Sequence, residues 1–82
     1  MSDKKVAVIT AGGGGMGAAV TRELHQCGYE VALMSRSDAA EKLALELDGL
    51  GLRGSVTDAR ALESLISQTL DRYGRIDAVV NH

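Results

Sequence analysis

The feature that most constrains this chain is a cluster of glycines between an apolar segment and an amphipathic one. Residues 12–17 include five glycines, directly after the apolar run of residues 6–9 and directly before a helical pattern that begins at Met16. Each glycine loses about 0.4–1 kcal/mol more chain entropy on folding than alanine would, so ordering the cluster costs on the order of 2–5 kcal/mol. Flexible linkers also contain glycine, but they seldom join a buried strand to a helix. The cluster therefore predicts a loop whose bare backbone closely approaches a ligand.

The helix after this loop is indicated by apolar residues at helical spacing. Val20, Leu24 and Cys27 recur at positions i, i+4 and i+7, which predicts one buried stripe. In this pattern Cys27 is a buried packing residue, while Thr21 and His25 lie on the polar face. Where a strand turns into such a helix, free backbone N–H groups and the positive end of the helix dipole attract phosphate. The loop is therefore predicted to bind phosphate; a tight connection without a ligand is the alternative.

The rest of the chain alternates strand-like and helix-like segments. Four apolar runs have the length and composition of buried strands, at residues 4–10, 31–34, 50–54 and 76–80. Helical periodicity predicts three intervening helices, of which the first ends at Gly28 and the third at Gly74. Connections of this length join parallel strands through right-handed crossovers. The sequence therefore predicts a doubly wound parallel α/β sheet.

Local signals also predict how two of these helices begin and which side of the last is buried. Asp38 and Glu41 have the spacing of a capping box at the start of the second helix, and Thr57 or Asp58 caps the third. The third helix is predicted to bury its apolar positions and one threonine, namely Leu62, Leu65, Ile66, Thr69 and Tyr73.

The composition excludes several classes of partner. The chain has 82 residues and a net charge of −2, so it is one small domain or part of a larger one, and its charge gives no basis for binding nucleic acid or an anionic membrane. Its aromatic residues are two tyrosines, too few to stack on single-stranded nucleic acid. No long apolar segment is present, so we expect neither a signal peptide nor a membrane span, with the cytoplasm as the default location.

In a doubly wound sheet, the ligand binds at the carboxyl ends of the strands, where the strand order reverses. The glycine loop after the first strand lies at that place. Gly15 would admit a pyrophosphate to the backbone, and Gly17 would let the helix pack tightly against the sheet.

The residues after the second strand bear on which dinucleotide is bound. A carboxylate there accepts hydrogen bonds from the 2′-hydroxyl of NAD, whereas an arginine pairs with the 2′-phosphate of NADP. Ser35 occupies the position of the acid, and Arg36 and Ser37 follow. Arg36 would form charge-assisted hydrogen bonds to a 2′-phosphate, so NADP is favoured over NAD. The alternative is that Arg36 is an ordinary solvated surface charge.

Three segments resemble motifs of the short-chain dehydrogenase/reductase family. Residues 10–17 (TAGGGGMG) resemble the family's T-G-x-x-x-G-[IL]-G loop, and residues 54–58 (GSVTD) resemble its adenine-side D-V-[ST]-D segment. Residues 76–82 (IDAVVNH) resemble the start of its [IV]-D-x-L-V-N-N-A-G segment. The resemblance covers nearly the whole chain in the family's order. It implies a Rossmann-type fold with strand order 3-2-1-4, and an oxidoreductase that transfers hydride between NADP(H) and a carbonyl or alcohol.

Three residues depart from the family pattern. Ala11 replaces the first glycine of the loop, Ser55 replaces the aspartate that faces the adenine, and His82 replaces the second asparagine. A hydroxyl at position 55 would make a weaker contact with the adenine than a carboxylate does. The predicted cofactor-binding residues are Ala11, Gly13, Gly14, Gly15, Met16, Gly17, Ser35, Arg36, Ser37, Ser55, Val56 and Asn81.

The family's catalytic serine and Tyr-x-x-x-Lys pair have no counterpart here, because neither Tyr29 nor Tyr73 is followed by lysine four residues later. We therefore assign no catalytic residue and no metal ligand. Residues 1–82 are expected to be the N-terminal part of a dinucleotide-binding domain. The catalytic half and a small-molecule substrate would belong to a longer protein, for which a homo-oligomer is one option. The alternative is a stand-alone nucleotide-binding or regulatory module without catalysis.

Overall fold

The computed structural model describes residues 3–10 and 15–81. Strands and helices alternate along this part of the chain: β1 Val6–Thr10, α1 Gly15–Gln26, β2 Glu30–Ser35, α2 Ala39–Leu47, β3 Leu50–Arg53, α3 Ala59–Tyr73 and β4 Ala78–Asn81. The strands form one parallel sheet in the order β3-β2-β1-β4. The predicted doubly wound α/β fold and its strand order are confirmed.

The helices cover both faces of the sheet because the strand order reverses at β1. From β1 the chain steps outward to β2 and β3, and then returns to place β4 on the other side of β1. With right-handed crossovers, this reversal moves the last helix to the opposite face. On one face Ile9 and Leu33 pack with Leu43 of α2. On the other, Val8 and Met34 pack with Leu65 of α3. Every residue of β1 is buried.

The ends of the helices follow the local signals with one exception, which concerns α2 and is described with the site. Gly28 follows α1 at φ 93°, and Gly74 follows α3 at φ 78°, as predicted for glycines that end helices. The N–H of Gly74 donates to the carbonyl of Leu70 at 2.8 Å. At the start of α3, the Asp58 carboxylate accepts a hydrogen bond from the backbone N–H of Arg60 at 3.0 Å. Of the two predicted caps, Asp58 is therefore the one used.

The predicted buried face of α1 is confirmed at Leu24, which is partly buried against the core, and wrong at two positions. Cys27, expected in the core, is exposed, whereas Thr21, expected on the polar face, is 0% exposed. The Thr21 hydroxyl donates to the carbonyl of Gly17 at 2.7 Å. Because that bond satisfies the hydroxyl inside the helix, threonine packs like a small apolar residue of similar shape. His25 is exposed, as predicted.

The predicted buried face of α3 is confirmed at three positions and wrong at one. Leu65, Thr69 and Tyr73 are buried, and Leu62 is partly buried against the core. Ile66, in contrast, is 36% exposed and lies with Leu62 and Leu70 along an open groove. No helix within the described ranges combines the length and the apolar composition needed to cross a bilayer.

Candidate functional site

The candidate site lies at the carboxyl edge of the sheet, beside the point where the strand order reverses. β1 ends at Thr10, next to β2 on one side and β4 on the other. The chain resumes at Gly15, which opens α1. The end of β1 and the start of α1 are therefore at the predicted places. The predicted site residues Ala11, Gly13 and Gly14 lie outside the described residues.

The start of α1 has the features of an anion-binding helix end. Its first turn carries no acidic residue, so no carboxylate on this turn opposes the positive end of the helix dipole. A Cβ added at Gly15 would have no described atom within 4 Å, and Met16 is 69% exposed. Gly17 is buried, consistent with the close helix packing predicted for it. No steric contact among the described residues therefore requires glycine at position 15. A ligand that approaches the backbone closely would explain it.

The turn between β2 and α2 corrects the predicted capping box. The Asp38 side chain makes no capping hydrogen bond and instead lies 3.2 Å from the Lys42 ammonium. Ser35, the last residue of β2, takes over the role: its hydroxyl accepts from the backbone N–H of Ala40 at 2.9 Å and donates to the carbonyl of Ser37 at 2.9 Å. The Ser37 hydroxyl accepts from the backbone N–H of Ala39 at 3.2 Å.

These hydrogen bonds determine what the turn offers to a ligand. Ser35 is 9% exposed and uses its hydroxyl within the protein. Arg36 and Ser37 are exposed at the outside of the turn. Of the three predicted ribose-side residues, Arg36 and Ser37 are therefore accessible to a ligand. Ser35 instead stabilises the turn through its two hydrogen bonds.

Arg36 differs from most other cationic side chains of this protein. Among the described residues its guanidinium forms no ion pair, and its one hydrogen bond runs from Nη2 to the hydroxyl of Ser55 at 3.5 Å. The cationic side chains that do have carboxylate partners are Lys4, Arg22, Lys42, Arg53, Arg72 and Arg75. The charge of Arg36 is thus not neutralised by a carboxylate in the part of the chain that the structure describes.

The turn between β3 and α3 places Ser55 and Val56 beside Arg36. The hydroxyls of Ser55 and Thr57 share a hydrogen bond of 2.7 Å, and the Thr57 N–H donates to Ser55 Oγ at 3.2 Å. Val56 and Arg36, with Met34, Ser35 and Gly54, line a cavity of about 110 Å³ between the two strand ends. Thr57 was not among the predicted site residues; the signal for it is a second hydroxyl two positions after Ser55.

Gly54 allows the strand ends around this cavity to come together. A Cβ at this position would lie 2.9 Å from the Cβ of Ala61 and 3.3 Å from the sulfur of Met34. Its N–H donates to the carbonyl of Ser35 at 2.9 Å, which extends the pairing of β2 with β3 by one step. A larger residue would therefore push α3 away from the sheet at the site.

Asn81 occupies the end of β4 and is held by Thr10. The Thr10 hydroxyl donates to the side-chain oxygen of Asn81 at 2.8 Å, and Thr10 is buried. Because the amide oxygen accepts this bond, the NH₂ end of Asn81 is directed away from Thr10. Sequence reasoning placed Thr10 at the start of the loop without giving it this role.

Two groups with shifted pKa values lie at the opposite, amino edge of the sheet. The Arg75 guanidinium, through its hydrogen bonds, and the backbone N–H of Val6 lower the pKa of the Asp77 carboxyl. Burial is the main cause that raises the pKa of the Tyr73 hydroxyl. No group of three or more His, Cys, Asp or Glu side chains within the described ranges is arranged to hold a metal ion. The chemistry available at the candidate site is therefore binding of an anion by backbone N–H groups, hydroxyls and one arginine.

Comparison with known proteins identifies the family. A family model for short chain dehydrogenases matches residues 5–82 of this chain. The chain belongs to the short-chain dehydrogenase family. Among curated relatives, L-fucose dehydrogenase of Mus musculus is 40% identical over 80 residues, which are 95% of this chain and 29% of that protein. The 1,2-dihydroxy-1,2-dihydronaphthalene dehydrogenase of Pseudomonas putida is 33% identical over 87 residues, covering 98% of this chain and 32% of that protein.

Solved structures of the short-chain dehydrogenase family have the same fold. A short chain dehydrogenase from Bacillus anthracis has a TM-score of 0.86 at 27% identity, over 95% of this chain and 34% of that one. A variant of actinorhodin polyketide ketoreductase, solved with NADPH, has a TM-score of 0.89 at 27% identity, over 98% of this chain and 33% of that one. This short-chain dehydrogenase chain thus spans about a third of the length of the relatives it matches.

The structure brings the described members of the predicted site together at one edge. These are Gly15, Met16, Gly17, Ser35, Arg36, Ser37, Ser55, Val56 and Asn81. They lie at the ends of β2 and β4, in the two turns that follow β2 and β3, and at the start of α1. The fold therefore brings four separate sequence segments to the same edge of the sheet.

Proposed function

We propose that this chain is the N-terminal, cofactor-binding part of a short-chain oxidoreductase and that it holds the adenosine and pyrophosphate groups of a nicotinamide dinucleotide. Family membership supports this assignment, as does the position of the predicted residues at the carboxyl edge. The reaction proposed for the longer protein is hydride transfer between NADP(H) and a carbonyl or alcohol. A bound dinucleotide would supply the hydride in its reduced form and accept it in its oxidised form.

The start of α1 is the proposed pyrophosphate position. A pyrophosphate carries negative charge, which the free N–H groups and the dipole of a helix start stabilise. A Cβ built at Gly15 has no described atom within 4 Å, which is consistent with a group that lies against the backbone here. Asn81 lies at the same edge, and the Thr10 hydroxyl donates to its side-chain oxygen, which leaves the amide N–H groups as donors for the dinucleotide.

The proposed preference for NADP over NAD rests on the exposure and the unneutralised charge of Arg36. It is an exposed cation without a carboxylate partner among the described residues, and it directly follows the strand end that faces the ribose. A 2′-phosphate carries nearly two negative charges at neutral pH, so a guanidinium binds it by charge-assisted hydrogen bonds. Neither Ser35 nor Ser37 carries a charge that would repel that phosphate. The NADPH in the related actinorhodin ketoreductase structure supports a nicotinamide dinucleotide.

Titration of the chain with NADPH and with NADH tests this function. Replacing Arg36 by alanine should weaken NADPH binding by about 1–3 kcal/mol, the effect of losing a hydrogen bond to a charged group, and should change NADH binding much less. Arg22→Ala is the matched control, because it removes the same charge from an exposed position on α1 that pairs with Glu46. Equal losses for both cofactors would remove the 2′-phosphate role. If neither NADPH nor NADH binds, the assignment of a dinucleotide site is itself overturned.

The intact mass of the native gene product distinguishes the two hypotheses, a part of a longer enzyme and a stand-alone module. An intact mass near 8.6 kDa would favour a nucleotide-binding or regulatory module without catalysis. A mass about three times as large would support the longer oxidoreductase, in line with the third of each relative that this chain spans.

A further inference from the structure

Arg36 and Ser55 connect the two turns on either side of the small cavity. Arg36 follows β2, Ser55 follows β3, and Nη2 of the arginine lies 3.5 Å from Oγ of the serine. Ser55 is itself held in place, because its hydroxyl bonds to both the hydroxyl and the backbone N–H of Thr57. The guanidinium is therefore positioned by a neutral group that the local turn fixes.

The acidic residues closest to these turns in sequence are engaged elsewhere. The Asp38 carboxylate lies 3.2 Å from the Lys42 ammonium, and the Asp58 carboxylate accepts the N–H of Arg60 at 3.0 Å. Ser55 provides the nearest side-chain partner of Arg36 among the described residues, and it has no charge. A carboxylate at position 55 would be within ion-pair distance of the guanidinium and would compete with an incoming phosphate.

We propose that Ser55 is a specificity-determining residue that acts through Arg36. Its hydroxyl holds the guanidinium at the ribose end of the site and leaves the positive charge available for a 2′-phosphate. This inference rests on the proposed function, and it assigns the choice of cofactor to a pair of residues on two different turns rather than to the turn after β2 alone.

Three versions of position 55 test the role of charge. Affinities for NADPH and for NADH are measured by titration of the native chain and of the variants Ser55→Asp and Ser55→Asn. We expect Ser55→Asp to reduce the ratio of NADPH to NADH affinity by about fivefold, which is the strength of a good exposed ion pair. Ser55→Asn has nearly the size of Ser55→Asp without its charge. Its amide oxygen can accept the Arg36 hydrogen bond in place of the hydroxyl, so it should leave the ratio unchanged. If Ser55→Asp fails to fold, Ser55→Glu carries the same charge and replaces it.

A second background shows whether the effect passes through Arg36. In Arg36→Gln, adding Ser55→Asp should change the ratio of affinities by less than about twofold, because the ion pair is missing. In the cofactor-free chain, carbon NMR should find the pKa of the new carboxyl below the ordinary aspartate value, and Arg36→Gln should return it towards that value. The inference is overturned if Ser55→Asp leaves the ratio of NADPH to NADH affinity unchanged, or if it lowers that ratio equally with and without Arg36. It is also overturned if the pKa of the new carboxyl is the same with Arg36 and with Arg36→Gln.

Failure of the proposed function gives a different pattern. In that case the native chain binds neither cofactor, or Arg36→Gln weakens NADPH and NADH equally, before position 55 is altered. If the native chain prefers NADPH, Arg36→Gln removes that preference and Ser55→Asp does not change it, then only the role of Ser55 is refuted and the proposed function stands.

Discussion

Replacing Ser35 by alanine should destabilise the chain by about 2 kcal/mol, although the serine lies in a turn and the substitution is small. The Ser35 hydroxyl makes two hydrogen bonds of 2.9 Å, and one of them satisfies the backbone N–H of Ala40. Ala40 is 0% exposed, so this N–H would be left buried without a partner at a cost of about 1–3 kcal/mol. Loss of a helix N-terminal cap costs a similar amount, about 0.5–2 kcal/mol.

Urea unfolding followed by far-UV circular dichroism measures this effect. With a denaturant dependence of about 1 kcal/mol per molar for a small domain, the midpoint of Ser35→Ala should fall by about 2 M. Asp38→Ala is the matched control, since it replaces the residue that the sequence pattern names as the cap. Only the exposed pair with Lys42 would be lost, worth about 0.5 kcal/mol or less.

The comparison between these two variants decides the result. If Asp38→Ala costs as much as Ser35→Ala, the helix is capped from Asp38 and the structural assignment is wrong. If Ser35→Ala costs less than about 0.5 kcal/mol, the buried N–H of Ala40 does not depend on the serine hydroxyl.

Three further predictions concern a ligand contact, a helix end and an acid-sensitive contact. Gly15→Val should abolish cofactor binding by blocking the approach to the backbone, with the circular dichroism spectrum retained because a Cβ there meets no described atom within 4 Å; an unchanged dissociation constant would refute the loop assignment. Asp48→Gly should stabilise the chain by about 0.5–1 kcal/mol, because Asp48 has φ 55° at the end of α2, and a lower urea midpoint would contradict this. The lowered pKa of Asp77 means that its stabilising contribution is present above its ordinary pKa of 3.8 and is lost as pH falls through the lower value of the folded state. The stability advantage of the native chain over Asp77→Asn should therefore shrink as the pH falls through 3.8 and below, and an advantage independent of pH would refute the role of this carboxylate.

Local sequence patterns determined the types and order of the secondary structure elements. The period of the apolar residues sets whether a segment buries one stripe or both faces, and that property belongs to a few consecutive residues. Gly28, Gly74 and Asp58 act within a single turn of chain, so their roles were predictable. The strand order was predicted through the resemblance to the family, because right-handed crossovers by themselves leave several orders of four parallel strands open.

Which side of a helix is buried was decided by tertiary packing. Threonine is a polar residue, which is why Thr21 was predicted on the polar face. In the fold its hydroxyl donates to the carbonyl of Gly17, so it can be buried without an unpaired polar group. Cys27 shows the reverse: it is exposed because α1 ends at Gln26, so Cys27 lies in the turn beyond the helix and not on its buried face.

The geometry of the site also depended on contacts between distant residues. The capping of α2 comes from Ser35 on the preceding strand, the Arg36–Ser55 contact spans 19 residues of sequence, and the hydrogen bond between Thr10 and Asn81 spans 71. The sequence by itself determined which residue types reach the carboxyl edge of the sheet. Only the tertiary structure decided which of them touch, because those contacts require neighbouring strand ends to be fixed in register.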